Sequence, residues 1–305
     1  MITTNLTGNL GNHMWQYSVC RIVAEKLGYK WGVNPKPTHD YYKGMNQMYF
    51  MDIDFGSQEF ESIDKIFHEK WINYPFEGEN VNITMLDSKI WNIQDNTKIL
   101  GHNGAFGGLF QSERYFEGAE DRVQSWFRIK PELKIQYENE LKNNNIFLDD
   151  DTCVINFRGG EYKSIPKVLC RKEYWRDSIN YMLSVNPKMK FIIISDDPIL
   201  ASSFMPFTIP SYHFDIGLDF YIVNNSKWTI ISNSSFGWWA AWLNTISNKI
   251  LAPRYFSCHN FSDGFWGLGE SYTKKFFYVD RDAQVLDYET CKSDALKYYK
   301  LKNII

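Results

Sequence analysis

No stretch of the 305-residue chain holds the roughly 18 consecutive apolar residues of a membrane-spanning helix, so no span is predicted. The opening "MITTNLTGNLGNH" lacks the basic-then-apolar order of an export signal. The five cysteines, at positions 20, 153, 170, 258 and 291, are widely spaced and form no C-x-x-C pair. That argues against a disulfide framework and against a cysteine zinc site. The histidines at 13, 39, 68, 102, 213 and 259 show no metal-ligand spacing. A net charge of -3 excludes a general attraction to nucleic acid or membrane. No internal repeat or low-complexity tract occurs. The expectation is a globular protein of a reduced compartment, cytoplasmic or peripheral at the inner face of the membrane.

Aromatic residues, by contrast, are plentiful, with 11 Trp, 19 Tyr and 22 Phe. They fill cores, and they are also surfaces for sugar rings and bases. After "GNLGN" (8–12), Trp15, Val19, Ile22, Val23 and Leu27 repeat at helical spacing, with Gly28 as the stop. "KWGVN" (30–34) reads as a strand. Ser112 in "GLFQSERYF" is a candidate cap for a helical segment reaching Trp126, and Pro131 opens another helix. Residues 35–100 give no clear order.

From Asp150 the text alternates. "TCVINFR", "KFIIIS", "YHFDI", "WTIIS" and "KILAP" read as strands. Helices fall between them: "KEYWRDSINYML", one starting at Asp197-Pro198, one near 218–225 and one at 235–246. Unalternating apolar strands separated by helices indicate an α/β fold with a parallel, doubly wound sheet. Two domains are expected, 1–147 and 148–305, meeting within "NNNIFLDDD" (143–151).

Ligands of such sheets bind beyond the carboxyl ends of the strands. Three polar stretches fall there: "RGGEY" (158–162), "SDD" (195–197) and "SNSSF" (232–236). Arg158 offers planar charged donors for a phosphate, and Gly159 and Gly160 let backbone approach an anion. Ser195 and Asp196 sit on the same edge. Asn233, Ser234, Ser235 and Phe236 open a helix whose free N–H groups and dipole favour negative charge. Taken singly, each stretch reads as an ion pair or a helix cap; the shared edge is what points to a ligand. Gly8, Gly11 and Asn12 make a second glycine turn, which does not match G-x-G-x-x-G. The D-x-D triplets Asp52/Asp54 and Asp280/Asp282 lie away from these strand ends, so no metal is expected. "GWWAAW" (237–242) reads as helix packing, not as a sugar platform.

These stretches resemble the bacterial alpha-1,2-fucosyltransferase family. "GNLGNHMWQYSVCRIVAEKLGY", "GLFQSERYF", "IIISDDP" and "IISNSSFGWWAAWLN" with "ILAPRYF" are similar, in order, to its motifs. "NFRGGEY" corresponds to its H-x-R-R-x-D-Y signature, with Asn156 for His, Gly159 for the second Arg and Glu161 for Asp. The resemblance implies a GT-B fold, two Rossmann-like domains facing across a cleft, the C-terminal one holding a GDP-sugar. It leaves open whether the final helix packs back on the first domain. It also implies fucose transfer from GDP-fucose to a hydroxyl, O2 of a galactose-like residue, in a surface or lipid-linked oligosaccharide. The transfer would invert the anomeric carbon and use neither metal nor another cofactor. Arg158 would grip the β-phosphate, with the Asn12 loop and the helix start at 234 stabilising the departing charge. Glu161 is a candidate base, and Asp215 or Asp219 a candidate guanosine contact. The altered signature leaves two alternatives: a different sugar donor, or a non-catalytic glycan- or nucleotide-binding relative.

Overall fold

A computed structural model describes residues 1–36, 45–60, 63–101, 103–104, 107–267 and 270–305. His39 and His102 lie outside the described residues. Contacts group the chain into two units, one of residues 1–128 with 267–271, the other of 129–266 with 272–303.

The first unit holds β1 (Ile2–Thr4), α1 (Leu10–Leu27), β2 (Trp31–Val33), β3 (Lys65–His68), β4 (Trp71–Phe76), β5 (Glu79–Thr84), β6 (Thr97–Leu100), β7 (Asn103–Gly104), β8 (Gly107–Gly108) and α2 (Glu120–Trp126). Four strands form a parallel sheet in the order β2-β1-β6-β3, while β4-β5 and β7-β8 are antiparallel pairs. α1 ends at Gly28, whose φ of 72° is the left-handed conformation glycine adopts without a Cβ penalty. The Tyr29 N–H returns to the Ala24 carbonyl at 2.9 Å. The single helix expected to reach Trp126 is instead two pieces. Ser112 caps a 3-10 turn at Glu113–Phe116, Gly118 follows at φ 78°, and α2 starts at Glu120.

The second unit holds α3 (Pro131–Asn143), β9 (Thr152–Phe157), α4 (Lys172–Val185), β10 (Lys190–Ser195), α5 (Pro198–Phe204), β11 (Ser211–Tyr212), α6 (Ile216–Asn224), β12 (Trp228–Ile231), α7 (Ser235–Trp242), β13 (Lys249–Pro253), β14 (Phe277–Val279), β15 (Val285–Leu286) and α8 (Tyr288–Leu301). The sheet runs β11-β10-β9-β12-β13-β14-β15, parallel except for β15. Counted from β9, the parallel strands stand 3-2-1-4-5-6, the doubly wound order. All six residues of β9 are buried, as a parallel strand covered on both faces requires. On α4, Trp175, Ile179 and Met182 are buried together in the core beside β9 and β10. α3, on the N-terminal side of the 143–151 stretch, packs on α6: the Tyr137 and Tyr221 rings are 5.6 Å apart and Tyr221 Oη donates to Glu138 at 3.2 Å. α8 contacts β14, and Tyr299 Oη accepts from the Trp266 N–H at 3.1 Å.

α7 is apolar all round and sits in the core. Trp238, Trp239 and Trp242 are each at most 1% exposed, so this helix is packing and no platform. It stops at Trp242 rather than at 246, because Asn244 turns the chain: Nδ2 donates to the Ser226 carbonyl at 2.7 Å and Oδ1 accepts from the Ile246 N–H at 2.9 Å. Both units are therefore α/β with parallel sheets.

Candidate functional site

The carboxyl ends of β10, β9 and β12, three adjacent parallel strands, bring Ser195, Arg158 and Ser232 to one edge. In the order 3-2-1-4-5-6 the chain leaves β9 in one direction and reaches β12 in the other, so the switch point lies between those two strands. The residues that follow them are Arg158-Gly159-Gly160 and Ser232 to Ser235.

Arg158 is held from two sides. Its Nη1 lies 2.5 Å from Asp196 Oδ2 and its Nη2 2.6 Å from Glu161 Oε2. Burial works against the guanidinium charge, but Asp196 and then Glu161 outweigh it and raise the pKa. Asp196 also accepts the Gly159 N–H at 2.8 Å. The glycines explain this approach: a Cβ on Gly160 would fall 2.3 Å from Asp196 Oδ2, and one on Gly159 2.8 Å from Asp197 Cβ. Asp197 itself caps α5 through the Leu200 N–H, and Ser195 Oγ accepts the Asp197 N–H. Tyr162 lies with its ring 5.7 Å from the Arg158 guanidinium, its hydroxyl pushed up to about 12 by burial.

Across the switch point, Ser234 starts α7 without a side-chain cap bond. Beneath it, Asn156 Oδ1 and Ser232 Oγ are buried with no hydrogen-bond partner among the described residues, and the Ser232 N–H meets the Asn156 carbonyl at 3.0 Å. α7 seats directly on Asn156, since a Cβ on Gly237 would stand 2.3 Å from Asn156 Oδ1. Asn233 does not present its amide outward. Its Nδ2 donates to the Val168 carbonyl and its Oδ1 accepts the Ser257 N–H, both at 3.0 Å. Asn260 adds donation to Pro166 at 2.9 Å and Leu169 at 2.7 Å. The two asparagines pin residues 166–169 to the loop after β13. Phe236 packs edge-on to Phe220 at 5.5 Å. Nothing in the bare sequence marks Asn260, because its role depends on a pairing 91 to 94 residues away.

The two acids expected near guanosine are also engaged. Asp215 caps α6, accepting from Gly217 and Leu218. Asp219 binds His213 Nδ1 at 2.9 Å and the Phe214 N–H at 3.0 Å. Its hydrogen bond holds the His213 imidazole above its ordinary pKa.

In the first unit the glycine turn follows β1. Gly8 has φ 77°, and a Cβ there would lie 2.4 Å from Asn12 Nδ2. Asn12 Oδ1 accepts from Gln111 Nε2 at 2.6 Å, and Gln47 Oε1 takes the Leu10 N–H at 2.7 Å, beside Gly11. The D-x-D triplets serve turns: Asp54 Oδ1 accepts the Gly56 N–H, and Asp280 Oδ1 accepts those of Asp282 and Gln284. Among the described residues no group of three His, Cys, Asp or Glu is gathered to hold a metal ion.

His259, on the pinned loop, is buried with Nδ1 2.7 Å from the Arg254 carbonyl. Burial pushes its imidazole down to about 4. Its folded pKa is thus below the ordinary value near 6.5, so the unfolded chain binds the extra proton as pH falls. Stability from this group is present above about 6.5 and is lost toward 4. Between pH 7 and pH 5 the wild-type protein should lose about 2 kcal/mol through His259. Urea unfolding at the two pH values should show a correspondingly smaller loss in His259→Gln; an equal loss would refute the assignment.

The glycosyl transferase family 11 model matches residues 1–279. An Escherichia coli O-antigen biosynthesis glycosyltransferase, WbnK, is 25% identical over 281 residues, covering 82% of this chain and 92% of its own. An Escherichia coli alpha-1,2-colitosyltransferase is 25% identical over 274 residues, covering 83% and 91%. A crystal structure of POFUT1 in complex with GDP-fucose has a TM-score of 0.47 at 10% identity, over 82% of this chain and 96% of that chain.

Proposed function

The chain belongs to glycosyl transferase family 11 and is a glycosyltransferase, and from that premise we propose that it transfers fucose from GDP-fucose to a hydroxyl of an O-antigen or related surface oligosaccharide, free or lipid-linked. The acceptor position is O2 of a galactose-like residue, and the anomeric carbon inverts. One observation carries the reading: a clamped arginine, Arg158, stands just past the carboxyl end of the first strand of a 3-2-1-4-5-6 sheet, across the switch point from the start of α7. A diphosphate there meets planar charged donors on one side and a helix N-terminus on the other.

In the displacement the acceptor hydroxyl gives its proton to a general base while its oxygen bonds to the anomeric carbon, and the bond from that carbon to the β-phosphate oxygen breaks. GDP leaves with the electron pair, and Arg158 meets the new charge. Glu161 holds the Nη2 edge of Arg158 and is half exposed, whereas Asp196 also fixes the Gly159 backbone. Glu161 is therefore the partner that a phosphate displaces, in place of the base role its chemistry alone suggests.

The names of the relatives support surface-polysaccharide synthesis. They also favour a second reading, because one is a colitosyltransferase. Asn156 and Gly159 stand where the family signature has His and Arg, a departure that supports the second reading.

The experiment is transfer from GDP-fucose, with and without EDTA, beside thermal shifts with GDP, UDP and CMP. Transfer from GDP-fucose that survives EDTA, and a larger shift with GDP, are expected; a ligand of the native state alone raises stability by mass action. Equal shifts with all three nucleotides remove the guanine reading. Activity lost in EDTA and restored by manganese removes the metal-free one.

A further inference from the structure

The whole chain carries a net charge of -3, yet one face of the second unit is strongly basic. Residues 163–172, "KSIPKVLCRK", hold four cations and no acid. Asn260 fixes this segment against the loop after β13 through the Pro166 and Leu169 carbonyls. There Lys167 Nζ stands 5.8 Å from the Phe261 ring. Arg281 reaches the same loop from beyond β14, its Nη1 donating to the Asn260 carbonyl at 3.3 Å and its Nη2 to the Ser262 carbonyl. The His259 imidazole, lowered in pKa first by burial, is lowered further by Arg281 and Arg171, which places both cations beside this loop. The end of α8 completes the face. Lys302 Nζ lies 3.9 Å from Asp263 and 5.5 Å from the Tyr298 ring, and Tyr298 Oη donates to Asp263 at 2.6 Å.

Stretches far apart in sequence thus bring cations together. Two acids stand among them: Asp263 is matched by Lys302 and Tyr298, and Asp282 follows Arg281 in the chain, so positive charge remains in excess. Arg171, Arg281 and Lys302 are exposed. Apolar tips project from the same stretches, with Leu301 79% and Ile165 41% exposed. Basic heads around exposed aliphatic and aromatic side chains match a layer that is anionic at its surface and apolar just beneath. A nucleic acid offers phosphates without the apolar layer.

We infer that this face, made of residues 163–172, the 259–265 loop with Arg281 and the end of α8, docks on an anionic phospholipid membrane. The lysines and arginines meet lipid phosphates, and Ile165 and Leu301 enter the headgroup boundary. The face adjoins the donor edge, because Asn233, just before α7, also holds the Val168 carbonyl. Docking therefore brings a lipid-linked acceptor toward the edge that carries Arg158. It goes beyond the transfer reading and stands without it, since it requires no nucleotide.

Co-sedimentation of the whole protein with vesicles, in the absence of nucleotide, tests it. Mixed phosphatidylglycerol and phosphatidylcholine vesicles should capture the protein at low salt, and pure phosphatidylcholine vesicles should not. Salt of about 0.5 M should release it by screening. Lys167→Gln/Arg171→Gln should weaken capture roughly fivefold for each cation removed. Lys134→Gln/Lys142→Gln removes the same charge from α3 and should leave capture unchanged. Leu301→Ser, too exposed to disturb folding, should weaken capture about threefold through its partly withdrawn side chain. No capture by the anionic vesicles, equal capture by both vesicle types, or equal losses in the two double variants overturns the inference. Capture of a DNA duplex in place of vesicles, lost in Lys167→Gln/Arg171→Gln, identifies a nucleic-acid surface and overturns it too. Absence of GDP-fucose transfer with vesicle capture intact defeats the donor reading and leaves the docking in place.

Discussion

Arg158→Lys should lose on the order of a hundredfold or more in transfer rate while melting within a few degrees of the wild type. Lysine keeps the charge but presents a single ammonium. Arg158 bonds Asp196 with one nitrogen and offers another to Glu161, at 2.5 and 2.6 Å. An ammonium satisfies Asp196 and then has no planar second edge for a β-phosphate. One lost transition-state donor of this kind is worth about 3 kcal/mol. Single-turnover rates at saturating donor separate this from weaker binding. Near-normal turnover would sink the phosphate role. Glu161→Gln is the companion: removing the displaceable carboxylate should lower the donor KM and change kcat little, whereas a large fall in kcat would restore Glu161 as base.

Gly159→Arg, which brings back the second arginine of the family signature, should cost stability as well as activity. The glycine has φ -104°, so its backbone suits any residue. Space is what it lacks. The new Cβ would stand 2.8 Å from Asp197 Cβ and 3.3 Å from Leu200 Cδ2 and Phe157 Cε1. Asp197 is the cap of α5 and cannot step back without releasing the Leu200 N–H. Overpacking of this sort costs roughly 1–3 kcal/mol, a melting temperature lower by on the order of 5 °C. Displacing Asp197 also disturbs its neighbour Asp196, and with it Arg158. Unchanged melting together with faster use of GDP-fucose would show that the loop re-forms around the arginine.

The strand–helix alternation after Asp150 could be read because each element there carries its own signal. β9 and β10 are continuous apolar runs, and α5 begins with Asp197-Pro198. The shared edge of Arg158, Asp196 and Ser232 followed from the parallel order alone. What could not be read were the non-local commitments. Asn233 and Asp219 look like free polar groups in the text, yet their partners are carbonyls, amides and a ring that only tertiary structure supplies. The break at Gly118 was missed because the aromatic spacing continues across it while the backbone does not. Within residues 35–100, β3 and β6 pair with each other and β6 with β1, across gaps of roughly 30 or more residues, which sequence alone does not reveal, whereas β4 and β5 form a local hairpin turned at Glu77-Gly78.

The five cysteines, all unbridged and buried, give the protein an internal report on its own opening. Burial raises the pKa of Cys20 and Cys153 and pushes Cys170 and Cys291 up to about 12, so little thiolate exists to react while the chain is folded. A thiol reagent therefore labels molecules only as fast as they open. Cys20 belongs to the first unit and Cys153, Cys170, Cys258 and Cys291 to the second. The mass added per molecule in mild urea distinguishes the two: one label marks the first unit opening alone, four mark the second, and five at once mark a single cooperative event.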